Sequence, residues 1–200
     1  MSNAPANTEP TVSGDDLVVL ARRDKAAFAA LYDRYYPRII KYCLRRLYLR
    51  EVAQDVTSEI FLSVAAHLPK FDGSTETDFR RWLFRIASNA VNAHLRQTGR
   101  RQEIFQAAAR SGRLSGSQNT LAIAAPAELL DWPAVYQAIL ELEPREQTIL
   151  SLRFFADLSH DEIGAVIEAS AGAVRTALSR ILNGLRKRFD VERALPKGQP

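Results

Sequence analysis

The chain has 200 residues, 46% of them hydrophobic and 25% charged, which fits one soluble globular domain or two small ones and excludes the membrane-embedded and disordered classes. Its net charge of +4 is mild on average, so basic residues matter only where they cluster. One cysteine and three scattered histidines build neither a disulfide framework nor a tetrahedral zinc site, and no cofactor is implied.

A cytoplasmic protein is expected. No segment reaches the run of about 20 apolar residues that a membrane span needs, and the N-terminus lacks the charged start and apolar core of a secretory signal. Residues 1–14 are small and polar and are read as a disordered tail. A short helix capped by Asp15 or Asp16 runs through Leu17, Leu20 and Ala21. From Asp24, the apolar residues Phe28, Leu31, Tyr32, Tyr35, Ile39, Tyr42, Cys43 and Leu47 hold one helical stripe, read as core packing. Pro37 lies in its middle, removes a backbone donor, and is expected to kink or split the helix.

After a break near Leu49 and Arg50, a helix from about Glu51 to Leu68 buries Val56, Ile60, Val64 and Leu68. Its other face carries Glu51, Gln54, Asp55, Ser58 and Glu59, with Thr57 at the edge of the buried stripe. An acidic face on a basic protein is either a solvated surface or a docking site for a basic partner. Residues 69–78 form a polar loop, followed by a helix over 79–101 whose buried stripe is read as Phe79, Trp82, Leu83, Ile86, Ala90 and Val91. On its opposite stripe Arg81, Arg85, Ser88, Asn89, Asn92 and Arg96 line up at helical spacing without a carboxylate, and Arg100 and Arg101 extend it. A solvated face normally mixes both signs, so a one-sign face interspersed with amides suits nucleic acid.

Residues 102–126 are rich in Ala, Gly, Ser and Gln and read as a flexible linker, which makes the chain bipartite: domains at 15–101 and 127–190, then a tail over 191–200. The fold class is all-α. In the second domain one helix begins near Asp131 and carries Val135, Ile139 and Leu140. Another opens with Pro144 at its first position and carries Ile149, Leu150 and Phe154. Ser159 and Glu162 form a capping box that starts a short helix at His160. Ser170 caps a longer helix whose Val174, Leu178, Ile181, Leu182 and Leu185 share a buried face. That helix shows water Arg175, Thr176, Ser179 and Arg180, ends in Arg186, Lys187 and Arg188, and has no acidic residue from 171 to 189. Short helix, tight turn and longer basic helix make a helix-turn-helix, whose second helix reads the major groove; an ordinary helical hairpin with a basic face is the other reading. Glu168 stands in the turn where glycine is favoured.

In this order the parts resemble the extracytoplasmic-function group of bacterial sigma-70 family RNA polymerase sigma factors, over residues 16–189. The resemblance rests on DVTSEIFL (55–62), FRRWLFRIASNAVNAHLR (79–96), LEPREQTILSLRFFADLSHDEIGAVI (142–167) and GAVRTALSRILNGLRKRF (172–189). It implies an alternative sigma factor, not an enzyme, whose partners are RNA polymerase core, through its beta-prime clamp and beta flap, and promoter DNA, both duplex and single-stranded. Asp55 and Glu59 match the polymerase-binding helix, with Glu51 and Gln54 beside them, while Val52 and Gln54 replace residues that are commonly acidic. Residues 71–78, with Phe71 and Asp72, match the loop that pockets a flipped minus-10 base. Asn89 matches a base-contacting position, with Arg81, Arg85, Asn92 and Arg96 on the same face. Arg175, Thr176, Ser179 and Arg180 match positions facing the minus-35 major groove, with Ser170 and Gly172 near a phosphate and Arg186 and Arg188 further along. Ala177 stands where the family often has arginine. Regulation is open among an anti-sigma factor, a Ser/Thr kinase acting on Ser58 or Thr57, and expression level. A helix-turn-helix regulator acting alone is the alternative function.

Overall fold

In the computed structural model, residues 13–98 and 132–194 are described, and among them every regular element is helical. Four helices make the first unit: α1 (Gly14–Ala21), α2 (Lys25–Leu47), α3 (Arg50–His67) and α4 (Glu76–Thr98), with a 3-10 turn at Leu68–Lys70 between the last two. Four more make the second: α5 (Trp132–Leu140), α6 (Pro144–Phe154), α7 (His160–Ile167) and α8 (Ala171–Ala194).

Caps set the boundaries. Ser13, not an aspartate, caps α1 by accepting from the Asp16 N–H. Asp24 accepts from the Ala26 and Ala27 N–H groups to start α2, which runs unbroken through Pro37. Pro37 is exposed, so the carbonyl it leaves unpaired faces water, while Tyr35 and Ile39 on either side are anchored in the core. Tyr48 ends α2 in the left-handed region at φ 60°. Thr75 and Asp78 cap α4 reciprocally, three residues before the expected start. Glu143 with Glu146, and Ser159 with Glu162, form the capping boxes of α6 and α7, the second as expected. The long last helix continues to Ala194, past the expected tail boundary at 191. The expected linker, Arg100, Arg101 and the first 12 residues lie outside the described residues.

The core of the first unit is Leu31, Tyr35, Ile39, Tyr42 and Leu47 of α2, Ile60 and Val64 of α3, and Phe79, Leu83, Phe84, Ala87 and Val91 of α4. Trp82, Ile86 and Ala90 are only half-buried, and the buried stripe of α4 turns instead through Phe84, Ala87 and Ser88. The cause is that α4 is packed on several sides, by α2, α3 and α7, so its apolar face is wider than one stripe. Tyr32, read as core packing, is exposed, and so are Leu20 and Phe154. The two units pack on each other: Ile149, Leu152, Leu158, Ile163, Val166, Val174 and Leu178 belong to one apolar cluster with the first unit.

Candidate nucleic-acid interface

The turn between α7 and α8 is built from two opposing local effects. Glu168 takes the left-handed conformation, φ 56° and ψ 56°, at a position where glycine carries no steric cost. Ala169 then donates its N–H to the Gly164 carbonyl at 2.9 Å. This brings the Ala169 carbonyl oxygen so close to Gly164 that a Cβ there would lie 2.5 Å from it, so the chain needs glycine one turn before the bend. Ser170 caps α8 through its hydroxyl, which accepts from Ala173 N–H at 3.1 Å.

On α8, Gly172, Arg175, Thr176, Ser179, Arg180 and Arg186 are all exposed, as the periodicity predicts. Leu182, read as buried, is exposed. Thr176 returns its hydroxyl to the Gly172 carbonyl at 3.0 Å, and Arg186 donates to Asn183 at 3.3 Å. Arg180, 73% exposed, pairs with Glu146 at 2.8 Å, and Arg188 makes a two-pronged pair with Glu141 of the loop after α5. The Arg188 guanidinium hydrogen-bonded to Glu141 holds that exposed carboxyl below the usual range. Ala177 packs against the core, so it does not stand on the outward face.

The stripe on α4 is less uniform than its spacing suggests. Arg85, Asn89 and Arg96 are exposed. Ser88 is buried and shares a hydrogen bond with the Tyr42 hydroxyl at 3.1 Å, which removes it from the surface. Asn92 is half-buried and accepts from Arg46 at 2.7 Å. Arg81 is half-buried near Asp78, 4.0 Å away. Asp78 itself titrates below the usual range because the Thr75 hydroxyl and neighbouring amides bond its carboxylate.

The second unit lies against this stripe. Arg85 donates to the Ala165 carbonyl at 2.6 Å, and Arg80, which the periodicity left out, grips the Glu162 carboxylate, its Nε at 2.6 Å. Burial pushes the Glu162 carboxyl up, but the Ser159 amide and the Arg80 guanidinium outweigh it and the net shift is downward. Ser88, Asn89, Asn92 and Arg96 share a groove of about 370 Å³ with Pro144, Arg145, Thr148, Val166 and Ile167. Arg145, also missed in the sequence, donates to the Ile167 carbonyl at 3.3 Å.

Before α4, the loop folds over Phe71, whose ring stacks on Trp82 with centroids 4.7 Å apart and planes at 25°. Asp72 is exposed. On α3, Glu51, Gln54, Asp55, Ser58 and Glu59 all face water, joined by Leu62, which is 71% exposed on the same face. Val52 packs against the core instead. Thr57 is fully buried near the Cys43 thiol, which burial pushes up to about 11. A kinase therefore has no access to Thr57 in this fold, and of the two hydroxyls only Ser58 is exposed.

Residues 31–101 match the Sigma-70 region 2 family and residues 138–187 match Sigma-70, region 4. The RNA polymerase sigma-H factor of Pseudomonas aeruginosa is 32% identical, over 83% of this chain and 88% of that protein. The ECF RNA polymerase sigma factor BldN of Streptomyces coelicolor is 30% identical, over 92% of this chain and 68% of that one. The solved structure of CnrH in complex with the cytosolic domain of CnrY superposes with a TM-score of 0.64 at 20% identity, covering 89% of this chain and 97% of that one, which shows a shared fold.

Proposed function

The chain belongs to the extracytoplasmic-function group of sigma-70 family RNA polymerase sigma factors and is an alternative sigma factor directing promoter-specific transcription; we propose that it does so by reading two promoter elements with two separate faces. Sigma factors bind RNA polymerase core and promoter DNA and are not enzymes, and here the core supplies all covalent chemistry.

The observation that carries the reading is the outward row of α8, where Gly172, Arg175, Thr176, Ser179 and Arg180 are exposed in a helix with no carboxylate between residues 171 and 189. Placed in the major groove at the minus-35 element, Arg175 and Arg180 reach base edges, and Arg186 and Arg188 reach phosphates. Ser170 and Gly172 sit at the helix N-terminus, where backbone N–H groups favour anions. At the minus-10 element the Phe71 and Asp72 loop pockets an extruded base, whose unstacking costs a few kcal/mol. Phosphate contacts from Arg81, Arg85 and Arg96, with Asn89 and Asn92 beside them, offset that cost. Because Arg85 is held by Ala165 and Asn89 lines a groove against α6 and α7, the two units part when promoter DNA enters.

Asp55 and Glu59, flanked by Glu51 and Gln54, dock on the beta-prime clamp, and the second unit docks on the beta flap. Among the described residues no helix is long and apolar enough to cross a membrane; the protein works in the cytoplasm. Its control falls to an anti-sigma factor or to a kinase acting on Ser58; the bound CnrY domain of the structurally similar CnrH supports the first. Run-off transcription with core enzyme tests the reading. Promoter-dependent transcripts are expected with core, and tight specific DNA binding by a free dimer is the outcome that overturns it.

A further inference from the structure

We infer that Arg22, with Asp15, is a positioning residue for the loop that holds the extruded minus-10 base, setting base discrimination there without touching DNA. This rests on the reading of residues 71–78 as that loop.

Three attachments join α1 to the loop. Asp15 accepts from the Glu76 N–H at 2.7 Å, so a carboxylate from a distant segment caps the first residue of α4 and favours its positive end. The Glu76 carboxylate accepts in turn from the Tyr35 hydroxyl at 3.0 Å and from Arg34 at 3.2 Å. Arg22, just past α1, donates to the Gly73 carbonyl and lays its guanidinium 5.6 Å from the Phe71 ring centroid. Phe71 also stacks on Trp82 at 4.7 Å. The aromatic wall of the loop is therefore held on its ring faces by an arginine and a tryptophan.

The loop has little freedom of its own to supply that order. A Cβ on Gly73 would collide with the Phe71 ring and lie 2.7 Å from the Asp78 Cβ, so the backbone is folded tightly onto the ring. The Arg22 Nε is enclosed and finds no acceptor among the described residues. An enclosed donor without a partner opposes stability, and one carbonyl and one ring face remain to hold the guanidinium in place. Such a cost is retained where geometry matters, because a preorganised pocket displaced by about 1 Å loses up to ~100-fold in function.

The test uses holoenzyme reconstituted from core and the full chain. Open-complex formation is followed by permanganate footprinting on four promoters that differ only in the base presented to the loop. Arg22→Ala is expected to reduce the ratio between preferred and least-preferred base by roughly tenfold. Arg22→Lys should give an intermediate ratio, because the ammonium still reaches the Gly73 carbonyl but has no planar face for the ring. Asp15→Asn, which weakens the cap without touching Phe71, should move the ratio less than Arg22→Ala. A fall by one common factor on all four promoters means that Arg22 serves stability alone and overturns the inference. Should Arg22→Ala fail to fold in a thermal melt, Arg22→Gln decides on the same ratio. Asp72→Ala separates the two levels: if it changes the ratio and neither Arg22 variant does, only the inference falls. If none of the variants changes it, the reading of the loop falls too.

Discussion

The Arg80 guanidinium on α4 grips the Glu162 carboxylate in the first turn of α7, tying α4 to the helix-turn-helix across 82 residues of sequence. The same carboxylate closes the α7 capping box, so one buried acid serves the helix start and the contact between units.

The pair gives the fold an acid-sensitive joint. The folded pKa of Glu162 is lowered, so its contribution is complete above its unfolded value of about 4.3 and is lost as pH falls through the folded value. Arg80→Ala leaves the carboxylate with Ser159 as its partner and should cost about 1–3 kcal/mol at pH 7, below the range for a fully enclosed pair because Arg80 is partly exposed. Urea unfolding at pH 7 and at pH 3 checks this. The wild type should lose stability on acidification and the variant should lose less, whereas equal losses would remove this pair from the pH response.

The helix-turn-helix bend makes opposite demands at two positions four residues apart. Glu168→Gly relieves a left-handed residue and should stabilise the chain by about 0.5–1 kcal/mol after the entropy of the unfolded glycine is counted. Gly164→Ala drives a Cβ against the Ala169 carbonyl and should cost at least about 2 kcal/mol. Denaturation midpoints with unchanged slopes measure both, and a destabilised Glu168→Gly would show that the Glu168 side chain contributes something its backbone strain conceals.

What could be read in the sequence was what is local. Ser159 with Glu162, and Pro144 at a first helical position, announce their helices because cap and partner lie within one turn. The outward row of α8 was equally legible, since a helix packed on one side obeys a single 3.6-residue period. By contrast, α4 is packed on several sides, so the same period put Ser88 on the surface and missed Phe84 and Ala87 in the core. Arg22 and Arg80 carried no sequence signal, because Gly73 and Glu162 are 51 and 82 residues away.

On α8, base-reading and phosphate-binding side chains should separate by salt and by sequence. Arg175→Ala should cost about 1–3 kcal/mol on one promoter variant and relax specificity at that position. Arg186→Ala should weaken all sequences alike and lower the salt slope by about one. Arg180 and Arg188 start from pairs with Glu146 and Glu141, so their net effects should be smaller. Holoenzyme binding to single-base minus-35 variants at several salt concentrations checks the set, and identical behaviour of Arg175 and Arg186 would remove α8 from base reading.

The acidic face of α3 offers the last test. Ser58 is exposed between Asp55 and Glu59, its hydroxyl turned back to the Gln54 carbonyl at 3.0 Å, with the bare Leu62 next on the same face. A phosphate there adds about 1.5–2 negative charges and three acceptors toward a basic partner. Ser58→Asp adds one charge to an exposed pair-forming surface, where each contact is worth about 0.2–1 kcal/mol, so core affinity should rise by no more than about fivefold. Thr57→Asp has a different fate. Its side chain is fully buried, and an unpaired carboxylate there should cost several kcal/mol and unfold the first unit before any affinity is measurable. Core binding of Ser58→Asp and Ser58→Ala, with a thermal melt of Thr57→Asp, decides the matter. If Ser58→Asp binds core no more tightly than the wild type, and the unmodified chain already drives transcription, then Asp55, Glu59 and Leu62 complete the docking face and Ser58 is no switch.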